Sequence, residues 1–220
     1  MSLPTLPRYP GRGLLTGVLN TGEPFVVYYL TGRSPASRGR RIEVHGDQVV
    51  VVPTSGVVGE DPLRYYTCFR QSSNFAVVGN GAHVEEIFKQ RKAGLDFLTA
   101  LSRYSYEPDG PIFTPRIVAE ASYGKEPAIV AAGACRRVAR DATAIDCLVL
   151  PSSPNGVAIS LRTYDSDGRT IESNGRPELV TAISTLEELA VRTWQGLEVD
   201  FRVALFATTL PLTQQATIFH

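Results

Sequence analysis

The sequence predicts an α+β protein in which two amphipathic helices cover the faces of one or two largely antiparallel sheets, and three observations carry that prediction. Short runs rich in Val, Tyr, Phe and Thr recur between turn residues. The apolar period lengthens to that of a helix in only two places, and no alternating strand and helix rhythm runs along the chain. At 220 residues with 43% hydrophobic content, the chain can bury a sizeable core, and one domain is the simplest organisation.

In the first half, Gly13 to Asn20, Phe25 to Leu30, Ile42 to Val52 and Tyr66 to Val78 read as strands. Asn-Thr-Gly, Gly-Arg-Ser-Pro, His-Gly-Asp and Ser-Ser-Asn signals separate them, so several should pair as hairpins. After Asn80-Gly81 the spacing of Val84, Ile87, Phe88, Leu95, Leu98 and Leu101 predicts one long amphipathic helix. The Pro/Gly-rich stretch Tyr104 to Pro111 is an irregular connection. Strand composition resumes at Arg116 to Ala121, Pro127 to Val138, Ile145 to Leu150 and Val157 to Tyr164, with a tight turn at Asp165 to Gly168. Ser184 followed three residues later by Glu187 predicts a capping box opening a second helix, whose stripe is Leu186, Leu189, Ala190 and Trp194. Val199 to Ala207 closes the set as a strand.

Charge narrows the partner. Lys plus Arg and Asp plus Glu both number 22 and the pI is about 6.8, which lacks the footprint of a general nucleic-acid binder. The basic charge is instead local: Arg33, Arg38, Arg40 and Arg41 fall in a Gly/Ser/Pro loop directly after an apolar strand, a place to hold an anion or merely a solvated loop. Cys68, Cys135 and Cys147 are odd in number and form no CxxC pair, which speaks against a disulfide framework or a zinc knuckle. With no leader or membrane-length segment, the expectation is a soluble cytoplasmic protein. Gly79-Asn80-Gly81 is not a dinucleotide fingerprint, so no nicotinamide cofactor is expected. Three histidines without ligand spacing support no metal. Asp165, Asp167 and Gly168 begin like a calcium loop, but position 176 is Arg176 where a glutamate is required.

Six segments in order, Tyr9-Pro10-Gly11-Arg12, Gly32-Arg33-Ser34 with Arg38, Tyr66-Thr67-Cys68, Asn80-Gly81 with His83, Tyr106-Glu107 and Thr114-Pro115-Arg116-Ile117, resemble the archaeal-type IMP cyclohydrolases. The resemblance covers about Tyr9 to Ile117, and the chain departs from the pattern between Ser122 and Arg176. It implies an N-terminal extension over 1–8 and a single domain over 9–220. The implied architecture is a four-layered αββα sandwich like that of the N-terminal nucleophile hydrolases, in a cytoplasmic homo-oligomer that tends to form tetramers. The implied activity is closure of 5-formamidoimidazole-4-carboxamide ribonucleotide to IMP, without cofactor or metal. The partners implied are that nucleotide and its product.

Ring closure must anchor the ribose phosphate, stabilise charge growing on the formyl oxygen and move protons between nitrogen and oxygen. On this resemblance Arg33, Ser34 and Arg38 hold the phosphate or another polar edge, with Arg33 also a candidate at the reacting centre. Glu107 carries protons, and Tyr66 and Tyr106 offer phenolic donors to the formyl oxygen. Asn80, His83 and Arg116 are candidate substrate contacts. Each has a plainer alternative: a turn residue for Asn80, a packed imidazole for His83, an ion pair with Glu107 or Asp109 for Arg116, and a buried inert thiol for Cys68. Two rival readings stand beside this one. A terminal-nucleophile amidohydrolase would need Ser2 exposed, although Pro4 and Pro7 mark an unstructured lead-in. A non-catalytic nucleotide-binding protein would keep the arginine loop alone.

Overall fold

The computed structural model describes residues 5–55, 61, 63–124, 127–181, 185–212 and 216–220. In chain order the elements are β1 (Arg12–Val18), β2 (Pro24–Thr31), α1 (Pro35–Arg38), β3 (Arg40–His45), β4 (Gln48–Pro53), β5 (Tyr66–Gln71), β6 (Phe75–Gly79), α2 (His83–Lys92) and α3 (Phe97–Leu101). They continue as β7 (Arg116–Ser122), β8 (Val130–Ala139), β9 (Ala142–Leu150), β10 (Val157–Arg162), β11 (Glu178–Thr181), α4 (Leu186–Gly196), β12 (Arg202–Thr209) and β13 (Thr217–Phe219). The strands form a six-stranded sheet, ordered β11-β10-β1-β2-β12-β13, and a seven-stranded sheet, ordered β3-β4-β5-β6-β7-β8-β9. Every pairing is antiparallel, so the fold is α+β as the strand and turn pattern predicts.

Alternation along buried strands assigns their faces. Val26, Tyr28 and Leu30 of β2 join Ile117, Ala119 and Ala121 of β7 in the largest apolar cluster, between the sheets. Phe25, Val27 and Tyr29, the alternate residues of β2, pack with Leu189 and Ala190 of α4. Val77 and Val118 on the outer side of the second sheet pack with Val84, Ile87 and Phe88 of α2 and with Leu101 of α3. β2 is buried on both faces, which explains its nearly unbroken apolar run.

Four local readings are corrected by the structure. The continuous helix breaks in two. Gly94 takes φ 92°, which ends α2, and Asp96 caps α3 by accepting from Thr99 N at 2.9 Å. The apolar period ran through the break because both pieces pack on one sheet. Ile42 to Val52 and Tyr66 to Val78 are each two strands of a hairpin. The arginine loop is not wholly irregular, since Ser34 caps the short α1 with Pro35 opening it. Ser184 lies outside the described residues, and the cap of α4 is Thr185, whose Oγ1 accepts from Glu188 N at 3.2 Å. The edge strands β11 and β13 were not foreseen, and the turn at Asp165 to Gly168 is closed by Asp167 Oδ1, which accepts from Arg169 N and Thr170 N.

Before β1, Leu6 packs against the α4 cluster and Arg8 Nε lies 3.6 Å from Glu198 Oε2. Phe206 on β12 meets Phe69 on β5 with ring centroids 5.5 Å apart, joining the two sheets. Phe206→Ala removes that contact from a fully buried position and should lower stability by about 3–5 kcal/mol, measured as a shift in the urea midpoint.

Candidate active site

β1 and β2 run antiparallel between two cavities. One, about 950 Å³ in volume, opens beside Val18 and Pro24, and none of the described residues lining it is charged. The other, about 250 Å³, lies at the opposite ends of the same strands, beside Arg12 and Thr31. It also meets Ser34, Ser37, Arg40, Glu107, Thr114 and Tyr164. Ionisable chemistry is gathered at this second end.

Its centre is an ion pair removed from water. Arg12, the first residue of β1, is 9% exposed and Glu107 is 1% exposed. Arg12 Nη2 donates to Glu107 Oε2 at 3.0 Å, and Arg12 Nη1 donates to the Asn80 carbonyl at 3.3 Å. Glu107 Oε1 has no hydrogen-bond partner among the described residues, and the residue faces the cavity. Burial raises the Glu107 carboxyl above its ordinary value; the Arg12 guanidinium pulls the other way and nearby Asp109 reinforces the rise. The close approach of Oε1 to the backbone accounts for Gly81, where a Cβ would stand 3.2 Å from it and 3.3 Å from His83 Nδ1.

The loop carrying Glu107 is held at both sides. Glu107 N donates to the Thr114 carbonyl at 2.8 Å, Asp109 accepts from Thr114 N at 2.7 Å, and the Thr114 hydroxyl bonds to both Asp109 and the Tyr164 hydroxyl. Asn80 staples β6 to β7: its Nδ2 donates to the Pro115 carbonyl at 2.9 Å, and its Oδ1 accepts from Ile117 N at 2.8 Å. Position 11 requires glycine twice over: its φ is 74°, and a Cβ there would lie 2.2 Å from Thr163 Oγ1 and 2.4 Å from the Tyr164 ring.

The sequence candidates divide accordingly. Glu107 and Ser34 line the cavity. Tyr66 is buried behind it, its hydroxyl 2.9 Å from that of Tyr28, and burial raises both phenols. Asn80 and His83 are also buried and structural in their contacts. His83 Nε2 donates to the Ile117 carbonyl at 3.1 Å, which leaves Nδ1 a bare acceptor without a partner among the described residues. Burial pulls this imidazole down to about 3, with Arg116 and Arg12 adding repulsion, so it is neutral.

The remaining candidates make other contacts. Arg33 Nη1 reaches the Gly168 and Arg169 carbonyls at 3.5 Å, and its guanidinium lies 5.6 Å from the Tyr9 ring centroid. Arg38 donates to the Asp200 carbonyl at 3.4 Å. Arg116 Nε donates to the Ser105 carbonyl at 2.9 Å rather than pairing with Glu107 or Asp109. Tyr106 packs edge-on against Phe113 with centroids 5.5 Å apart. Cys68 is fully buried, and burial raises its thiol. Ser2 lies outside the described residues. Among those residues, no three His, Cys, Asp or Glu side chains group in a way that could hold a metal ion. No helix among them is long and apolar enough to cross a membrane.

Arg12, Arg64, Thr114 and Tyr164 line the cavity without having been placed in the site by sequence reasoning, whereas Arg40 belongs to the arginine stretch already singled out as a place to hold an anion. Arg12 did carry a signal, a cationic residue heading a strand with no other charged position.

An antiparallel α+β sandwich with a buried Arg–Glu pair in an end cavity defines a class of architecture. Comparison with known proteins supplies the family. The profile of the IMP cyclohydrolase-like protein family matches residues 9–213, and the chain belongs to that family. A protein of Thermococcus kodakarensis named IMP cyclohydrolase is 34% identical over 189 residues, covering 83% of each chain. IMP cyclohydrolases of Methanopyrus kandleri and Methanothrix thermoacetophila are each 36% identical, over 113 and 119 residues. Those two matches take in about half of this chain (50% and 52%), and the chain spans 56% and 58% of the relatives' own length.

Arg12→Ala leaves a buried carboxyl without its counter-charge and should cost about 3–5 kcal/mol at neutral pH. The native state of that variant holds the Glu107 proton more tightly than the unfolded chain, so its deficit shrinks as pH falls and grows as pH rises. Urea titrations of variant and parent at pH 5 and pH 8 measure that difference.

Proposed function

We propose that this protein is an IMP cyclohydrolase, closing 5-formamidoimidazole-4-carboxamide ribonucleotide to IMP with loss of water in the last step of de novo purine biosynthesis. The observation that carries the reading is Glu107, a desolvated carboxyl in the cavity wall with one oxygen held by Arg12 and the other unengaged. Family membership supplies the substrate class.

The reaction is a proton-transfer problem, because both reacting groups sit on one molecule. The carboxamide nitrogen forms a bond to the formyl carbon while the carbonyl electron pair moves to the formyl oxygen. That oxygen takes a proton, and the nitrogen gives one up. The resulting hydroxyl then leaves as water with a second proton, and the former formamide nitrogen loses its own as the C=N bond forms. A single carboxyl that starts protonated can deliver each proton to oxygen and recover each from nitrogen. Its raised affinity for the proton suits that start. Arg12 fixes the carboxyl's orientation and supplies positive charge beside the growing oxyanion.

The Tyr28–Tyr66 hydroxyl pair is assigned to the layer behind that wall, where Arg12 exerts its charge on both rings. Asn80 and His83 act from behind, by fixing β6 against β7. Ser34 is a direct substrate contact. Arg33, Arg38, Tyr106 and Arg116 reach substrate only by exchanging their present contacts for it. The same reading includes a cytoplasmic homo-oligomer, a tetramer by family resemblance, and an αββα stacking like that of the N-terminal nucleophile hydrolases. That stacking is supported by apolar clusters between the sheets and beneath each helical layer.

Glu107→Gln should retain nucleotide binding and lower turnover by roughly 10²–10⁴-fold, read as IMP formation by absorbance. In the parent enzyme, kcat/KM should fall as pH rises through a value above the ordinary carboxyl range, since the starting form is protonated. The Gln variant should lack that limb; turnover equal to the parent's with an unchanged profile would remove Glu107 from the mechanism.

A further inference from the structure

The cavity holds more positive charge than its carboxylates pair. Arg12 is taken by Glu107. Arg40 is 7% exposed, yet its donors meet only carbonyls, with Nε to Ser37 O at 2.7 Å and Nη2 to Thr31 O at 3.2 Å. Arg64 lines the same cavity, and its Nε is buried with no hydrogen-bond partner among the described residues. Neither guanidinium makes an ion pair among those residues. The other cavity acids are turned to their own loops: Asp61 Oδ1 accepts from Leu63 N at 2.9 Å, and Asp109 is bonded to Thr114.

Carbonyl contacts orient a buried guanidinium but do not neutralise it, so an anion with several acceptor oxygens is the natural complement. We infer that Arg40 and Arg64 form the anion subsite of the cavity and that it takes a phosphate monoester. The inference rests on the nucleotide reading for its assignment to the 5′-phosphate of the substrate. It moves the phosphate away from Arg33 and Arg38. Arg33 and Arg38 point to the carbonyls of residues 168, 169 and 200, whereas Arg40 and Arg64 face the same space as Glu107. Ser34 and Ser37, whose hydroxyls are 3.1 Å apart and bonded to each other within the cap of α1, edge the subsite.

Calorimetric titration of the parent, Arg64→Ala, Arg64→Lys and Arg33→Ala with IMP, inosine and inorganic phosphate tests this. Arg64 is only half-buried, so its variants should fold, and circular dichroism checks that they do. Arg64→Ala should weaken IMP and inorganic phosphate by about tenfold or more while leaving inosine within about twofold, and Arg64→Lys should recover part of the loss. Arg33→Ala should leave all three within about twofold. Equal weakening of IMP and inosine by Arg64→Ala, or IMP affinity that depends on Arg33 and not on Arg64, overturns the subsite and leaves the nucleotide reading standing. Arg64-dependent binding of inorganic phosphate without binding of IMP upholds the subsite and overturns the nucleotide reading. A parent protein that binds neither overturns both.

Discussion

The contact on which the candidate site depends is the pair between Arg12 and Glu107, made almost wholly out of water. Burying two charges costs several kcal/mol per ion, and the attraction between them returns that cost only in good geometry, so such a pair is poor evidence for stability. It is better understood as a positional device. Arg12 comes from the head of β1, the carbonyl it also binds comes from the end of β6, and Glu107 comes from the loop before β7. One guanidinium therefore ties the end of an interior strand of each sheet to the segment that carries Glu107.

Around that pair the protein separates charge from neutrality. His83 sits near Glu107 but is neutral, because burial and two arginines both disfavour its proton. Tyr28 and Tyr66 stay protonated for the same reason of desolvation. Arg12 keeps its charge beside them, as a guanidinium does at any working pH. The cavity at the far end of β1 and β2 is larger but has no charged residue among the described ones that line it. Volume and wall chemistry therefore point to opposite ends of the same two strands.

Much of the architecture was legible because it depends on local rules. Strand composition between turn signals located most strands, and the apolar stripe Leu189, Ala190 and Trp194 located α4 within a residue or two of its cap. The break between α2 and α3 was obscured because Gly94 interrupts the backbone without interrupting the apolar face. β11 and β13 escaped because they are only four and three residues long and pair at sheet edges, where burial leaves little pattern. In the site, the resemblance brought out Glu107, whose sequence neighbourhood alone suggested exposed loop polarity.

The sequence by itself determined the α+β class, the identity of the buried faces, the concentration of arginine after β2 and the family segments from Tyr9 to Ile117. Those features depend on residue type and on spacing within one element. Only the tertiary structure decided which arginines face the cavity. Arg33, Arg38 and Arg40 lie within eight positions of one another, yet α1 turns the first two toward the carbonyls of residues 168, 169 and 200 and returns the third to the cavity wall. Arg12 and Glu107 are 95 positions apart, and the packing of the two sheets on each other, not any local signal, brings a cation at one strand head against a carboxyl in a distant loop.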